Sequence, residues 1–412
     1  MPQEADVYRR LQKRLDELPV GYPATESGVE LRILRRLFTP EEAEVALGLS
    51  AVPEAAEKIQ RRLPGRTTDA LERTLDRMVA KGAIFGGRML ARGGAKRYSR
   101  APLVVGMYEA QVDRLTKELQ QDFEQYAREG FATTLLGAKT KQMRTIPVNA
   151  RFVPDRLVGR YDDARKLIEE GPGPWAARNC VCRQGKDLLG EPCQQTTARR
   201  VCLTIGGAAR ATVASGDGEA LTREETLSLL DQAERDGMVL QPANAQDPRF
   251  ICFCCGCCCG MLRAAKQFPK PAEYLQSNYQ AFVNAELCSE CGTCHERCPM
   301  QALHAGDGAT AVDIDRCIGC GLCVCTCPTD AVTLRAKPAA TAPPKDTKAL
   351  YGRILTERFG LLGAAKRIEA AARRTDLTPE PEFSPWGAYG RRATRGERGA
   401  GDPESRRPES PA

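Results

Sequence analysis

Residues 288–299 read Cys288-Ser-Glu-Cys291-Gly-Thr-Cys294-His-Glu-Arg-Cys298-Pro299, and residues 317–328 read Cys317-Ile-Gly-Cys320-Gly-Leu-Cys323-Val-Cys-Thr-Cys327-Pro328. Both are C-x2-C-x2-C-x3-C-P, and the second copy follows the first at an offset of 29 residues. At the same offset Gly292 matches Gly321 and Ala302 matches Ala331. In each copy three thiols share one short loop, and a fourth stands just before a proline. Proline has no amide hydrogen to donate and turns the chain away after the last thiol. Thiols spaced in this way are a soft ligand set suited to iron–sulfur clusters, in which each iron takes one thiolate.

Over about fifty residues the pattern resembles the bacterial two-cluster ferredoxin. The resemblance implies two 4Fe–4S clusters as cofactors and an exchange of ligands, because the fourth Cys of each run serves the other cluster. One cluster then takes Cys288, Cys291, Cys294 and Cys327. The other takes Cys317, Cys320, Cys323 and Cys298. Two competing readings fail. Zinc needs four thiolates per site, with no third C-x2-C step and no second copy. Cys291-Gly-Thr-Cys294-His295 matches the attachment pattern of c-type haem, but attachment would consume two cluster ligands and normally follows export. Cys325 has no counterpart in the first copy, where Glu296 stands, and reads as a spare thiol. His295 reads as a surface residue.

Working outward, the chain has 412 residues and 19 cysteines, none before Cys180 and none after Cys327. The first residues are charged and lack the apolar core of a signal peptide. No run of about 18 apolar residues occurs, so no membrane-spanning helix is expected. The expectation is a cytoplasmic protein whose clustered cysteines are metal or cluster ligands, since disulfides need an oxidising compartment. The net charge of +7 permits an acidic partner or nucleic acid but demands neither.

Ten further cysteines precede the repeat in two groups: Cys180, Cys182, Cys193 and Cys202, then six within Cys252–Cys259. Between them Thr222-Arg-Glu-Glu225 is a capping box that opens an amphipathic helix ending at Gly237. A third iron–sulfur cluster or a zinc ion is expected here. Cys180, Cys182, Cys193 and Cys202 are the simplest ligand set, and Cys254, Cys255, Cys258 and Cys259 are the competing source. Redox-active thiols without a metal are the bland alternative. With Arg97-Tyr98-Ser99-Arg100-Ala101-Pro102-Leu103-Val104-Val105-Gly106, this layout is similar to a group of ferredoxin-like iron–sulfur proteins of anaerobic bacteria and archaea. The resemblance covers most of residues 25 to 335 and implies electron transfer without naming a partner.

The N-terminal region is punctuated for helices. Thr39-Pro40-Glu41-Glu42 supplies a cap, a proline at the first helical position and a capping-box Glu. A helix follows from Pro53 to Leu63. Another is capped by Thr67 or Thr68 and stopped by Gly82. Ile84-Phe85 and Arg97-Tyr98 flank a Gly-rich turn, as in a hairpin. This order resembles a winged helix-turn-helix domain. Arg66, Arg73, Arg77 and Lys81 on the helix, and Arg88, Arg92, Lys96 and Arg97 on the hairpin, are the residues that would meet phosphates. Asp69, Glu72 and Asp76 lie among them and weaken that attraction. At the other end, Asp346 to Arg374 forms an amphipathic helix with a basic side, suited to a membrane surface or to its own protein.

The expected fold class is therefore α+β and multidomain. A winged-helix-like domain spans 1–110, a mostly helical Cys-rich region 111–275, and a two-cluster ferredoxin domain 276–336. A linker and amphipathic helix span 337–376, and a disordered tail 377–412. The expected function is single-electron relay to a redox partner protein, as a carrier or as the electron-input subunit of a larger oxidoreductase. The alternative is a redox-sensing transcription regulator that binds DNA through the winged helix. No paired carboxylates, nucleophile constellation or nucleotide fingerprint suggests catalysis by the chain alone.

Overall fold

A computed structural model describes residues 2–88, 95–149 and 160–374. The expected disordered tail and Arg92 lie outside the described residues. The N-terminal region runs α1 (Pro2–Asp16), α2 (Val29–Leu37), α3 (Pro40–Leu47), α4 (Ala56–Gln60) and α5 (Thr68–Ala80). A hairpin of β1 (Ile84–Arg88) and β2 (Lys96–Arg100) follows, with Ile84 opposite Arg100 and Arg88 opposite Lys96. The caps explain the breaks. Thr39 and Glu42 form a reciprocal capping box at α3, and Thr67 accepts from the Ala70 amide at α5. The Arg97–Gly106 stretch is structural. Tyr98 is fully buried, its hydroxyl donating to Asp76 at 2.7 Å, and its backbone bonds to Glu54.

The middle region runs α6 (Lys117–Tyr126), α7 (Ala132–Gly137), α8 (Ala164–Glu169), β3 (Trp175–Asn179), α9 (Val181–Leu188) and β4 (Arg200–Ile205). It continues with α10 (Gly207–Ala214), β5 (Gly218–Leu221), α11 (Arg223–Asp236), β6 (Val239–Pro242), β7 (Phe250–Cys254), α12 (Gly260–Ala265) and α13 (Pro271–Tyr274). Helices are plentiful, as expected, but they surround an antiparallel five-stranded sheet in the order β5-β3-β4-β7-β6. Short strands interrupted by cysteine and arginine gave no clean apolar alternation to read. The sheet puts Cys202 on β4 directly opposite Cys252 on β7.

In the C-terminal part, β8 (Tyr279–Val283) pairs with β11 (Val332–Ala336), enclosing α14 (Thr293–Arg297) and the small β9 (Leu303–Ala305)–β10 (Thr310–Val312) hairpin. Packing does not stop at the expected boundary near residue 275. Leu203, Leu240, Ile251 and Phe253 of the sheet share one apolar core with Met300, Ile318, Cys320 and Leu322. Burial of that shared surface, at roughly 25 cal/mol per Å2, joins the two parts more firmly than a linker would.

The last helix, α15 (Thr347–Arg374), breaks at Gly360, whose φ of 71° only glycine adopts freely. Its first half packs on its own protein. Leu350 and Ile354 are buried, and Arg358 bonds the Asp16 carboxylate at 2.8 Å and the Leu18 carbonyl at 2.7 Å. Beyond the break Leu361 and Leu362 are 79% and 81% exposed. Among the described residues no helix is long and apolar enough to cross a membrane.

Candidate metal centres

The two Cys loops have closely matching backbones. Glu290 and Gly319, Gly292 and Gly321, and Gln301 and Asp330 all have positive φ, each pair standing at the repeat offset. These left-handed turns curl each loop inward. Gly319 has no room for a side chain, because a Cβ would lie 2.2 Å from the Tyr279 carbonyl oxygen. Gly319→Ala is therefore expected to push β8 away and lower the iron content, while the open Gly292→Ala site is expected to cost only about 1 kcal/mol of backbone strain. Iron analysis of the two variants checks this.

The loops interlock through their sulfurs. The Ala281 amide donates to Cys317 Sγ at 3.3 Å, and the Thr310 amide, at the equivalent position of the other half, donates to Cys288 Sγ at 3.5 Å. Each half thus supplies an N–H to a thiol of the other. The Ala302 amide donates to Cys298 Sγ at 3.2 Å. A small cavity between the strands is lined by Cys298 from the first run together with Cys317, Cys320 and Cys323 from the second, closed by Ala281, Met300 and Leu334.

The two groups differ in exposure. Cys291 is exposed, Cys288 and Cys327 are half-buried and Cys294 is buried, whereas Cys317, Cys320 and Cys323 are buried and Cys298 is half-buried. Amide donors, chiefly from Thr310 and Glu290, lower the Cys288 pKa, and the Thr293 hydroxyl and amide lower that of Cys291. Burial raises those of Cys298, Cys320 and Cys323, so thiolates there require a compensating positive centre. At Cys327 burial works upward, but donors from Thr329, Val332 and Ala331 outweigh it and the pKa is lowered. Four soft donors around an enclosed apolar space, three of them reluctant to ionise alone, fit an iron–sulfur cluster. Cys325 points elsewhere, its thiol donating to the Leu322 carbonyl at 3.2 Å. His295, read as a surface residue, is within 3.0 Å of the Thr310 hydroxyl.

The ten middle cysteines divide differently from either expected set. Cys193 leaves Cys180, Cys182 and Cys202 and joins Cys255, Cys257 and Cys258, with all four Sγ atoms within 4.8 Å of one another. The competing set also splits: Cys255 and Cys258 join Cys193, while Cys254 and Cys259 face the other way. The remaining thiols shift one another's ionisation in neighbouring pairs: Cys180 with Cys182, Cys202 with Cys252, and Cys254 with both Cys252 and Cys259. The cause is the turn at Gly256, which follows β7 and folds Cys257 and Cys258 back onto Cys255. Nothing in the sequence singles out Cys257, because spacing alone does not show which of several adjacent cysteines turns inward. Arg183, fully buried, lies between the groups and donates to the Phe253 carbonyl at 3.1 Å and to Met238 Sδ at 3.2 Å. The neighbouring Cys258 thiol and the Arg183 charge outweigh burial and lower the Cys255 pKa to about 4. All 19 cysteines are free.

A repeated Cys loop, with Cys298 of the first copy meeting the three loop cysteines of the second around an apolar cavity, is the arrangement of an iron–sulfur module. Residues 280–328 match the family described as the 4Fe-4S dicluster domain. No curated protein and no solved structure matches the chain.

Proposed function

We propose that the chain is an iron–sulfur electron-transfer protein that relays single electrons through two 4Fe–4S clusters and serves a redox partner protein, as carrier or as electron-input subunit. The observation that carries this reading is the cavity in which Cys298 of one run meets Cys317, Cys320 and Cys323 of the other. On this reading Cys288, Cys291, Cys294 and Cys327 hold the first cluster, and Cys298 completes the second. Each bound cluster supplies a reversible one-electron change of oxidation state. The chain's part is to set the potential, through the Ala281, Ala302 and Thr310 amides and through burial. It also sets the route. The exposed Cys291 side is the face for exchange with a partner, and the buried group faces the middle region. The reducing interior of a cell suits a chain whose cysteines are all free.

The DNA-binding alternative finds little support. Lys96 is held by Glu72 at 2.7 Å and Asp76 at 2.6 Å, Arg66 by Glu41 at 2.8 Å, and Lys81 by Glu42. Cations already paired release few counterions from DNA. Gel-shift assays with anaerobic protein are expected to show no sequence-specific, cluster-dependent complex. For residues 346–374, whose first half is occupied by its own protein, a membrane contact would fall on Leu361, Leu362 and Ile368.

The test is anaerobic purification followed by reductive titration. The reading expects at least about eight irons per chain, and two electrons taken up and returned by the dicluster module. Clusters that accept no electron would overturn it. Cys325→Ser is expected to leave iron, sulfide and electron uptake unchanged.

A further inference from the structure

The Cys193 group has a geometry of its own. Cys193 Sγ stands 3.6 Å from Cys255 Sγ and 3.7 Å from Cys257 Sγ, and Cys257 Sγ stands 3.7 Å from Cys258 Sγ. Four sulfurs bonded at about 2.3 Å around one tetrahedral ion lie about 3.8 Å apart. A cubane instead spreads its thiolates, since each sits outside a different iron. The eight cysteines of the two repeat loops illustrate the contrast. Among the described residues, the Cys193 group is the one set of three or more potential ligands drawn together within 4.8 Å.

We propose that Cys193, Cys255, Cys257 and Cys258 bind a single thiophilic divalent ion as a closed tetrathiolate, and not a third 4Fe–4S cluster. Four thiolates around a divalent ion carry a net charge of minus two, and the surroundings answer it. The Arg183 guanidinium, held by the Phe253 carbonyl at 3.1 Å, lies close enough to Cys193 and Cys255 to interact with both electrostatically. Lys266, fixed by a 2.8 Å bond to the Gly256 carbonyl, lies near Cys257. Cys255 and Cys258 are buried to 1% and 3% exposure, Cys193 and Cys257 are half-buried, and four thiolates fill a tetrahedral shell with no position left for water. The ion staples two distant segments, the α9–β4 loop with Cys193 and the β7–α12 turn with the rest. It also braces the dicluster module, because a Cβ at Gly256 would lie 2.9 Å from the Pro299 carbonyl oxygen, beside Cys298.

Zinc and a single iron share this ligand chemistry, and elemental analysis separates them. The experiment counts iron, zinc and acid-labile sulfide in the anaerobically purified full chain. Cubane clusters contribute iron and sulfide in equal number, so the tetrathiolate ion appears as about one metal atom per chain in excess of sulfide, however many clusters are present. Excess zinc or excess iron names the ion. Cys257→Ser, and Cys193→Ser on the other segment, are expected to remove that one atom and no sulfide. Metal equal to sulfide in the unaltered chain, or loss of about four irons with their sulfide from either variant, would overturn the proposal.

Discussion

Cys298→Ser is expected to damage the cluster of the opposite copy, lowering the iron bound by the dicluster module from about eight to about four atoms per chain. The thiol lost lies in the first run, yet the cavity it lines is formed by Cys317, Cys320 and Cys323. A serine oxygen is a harder and poorer ligand for iron than a thiolate. Burial already opposes ionisation of Cys320 and Cys323, so a centre with one weak corner is poorly held. Cys327→Ser is expected to act in the reverse sense, on the centre of Cys288, Cys291 and Cys294. Iron and sulfide analysis with EPR spectroscopy distinguishes the two variants. If Cys298→Ser instead disturbs only the centre of its own run, the crossed ligand assignment is wrong.

Asp162→Ala is expected to destabilise the protein by about 3–5 kcal/mol, the cost of stranding a buried charge. The Asp162 and Arg144 side chains are 4% and 3% exposed and form an ion pair. The second carboxylate oxygen of Asp162 accepts from Asn278 at 3.0 Å and from the Tyr279 hydroxyl at 3.1 Å. Asn278 and Tyr279 lead into β8, whose Ala281 amide donates to Cys317. One carboxylate therefore fixes the strand that supports the buried thiols. Anaerobic denaturant unfolding measures the loss, and Asp162→Asn, which keeps an acceptor, is expected to recover part of it. A shift below about 1 kcal/mol would show that the pair contributes no more than a surface salt bridge.

What could be read beforehand follows the range of the signal. Ligand spacing along one short loop is local, so the eight cysteines of the repeat stood out in the sequence. Helix caps are local as well, and the boxes at Thr39 and Thr222 both form. The convergence of Cys193 on Cys255, Cys257 and Cys258 is a contact between distant segments, and no spacing rule encodes it. The five-stranded sheet was hidden because β4 and β7 carry Cys202, Cys252 and Cys254, which read as ligands before they read as strand. The amphipathic pattern of residues 346–374 foretold a helix, but Gly360 divides it into a docked half and an exposed half. On the mixed-charge surface visible in the sequence, Lys96 is taken up by Glu72 and Asp76, a pairing that no spacing along the chain reveals.

The proposed electron transfer requires both clusters of the dicluster module to be redox centres. An EPR-monitored potentiometric titration of the anaerobic full-length protein tests it most directly. Two reversible one-electron reductions are expected from the dicluster module, within the range of roughly −700 to +450 mV open to such clusters. Both signals should be lost or altered one at a time in Cys298→Ser and Cys327→Ser. Clusters that stay silent across that range, or that are destroyed on reduction, would contradict electron transfer and leave the metal centres as structural supports.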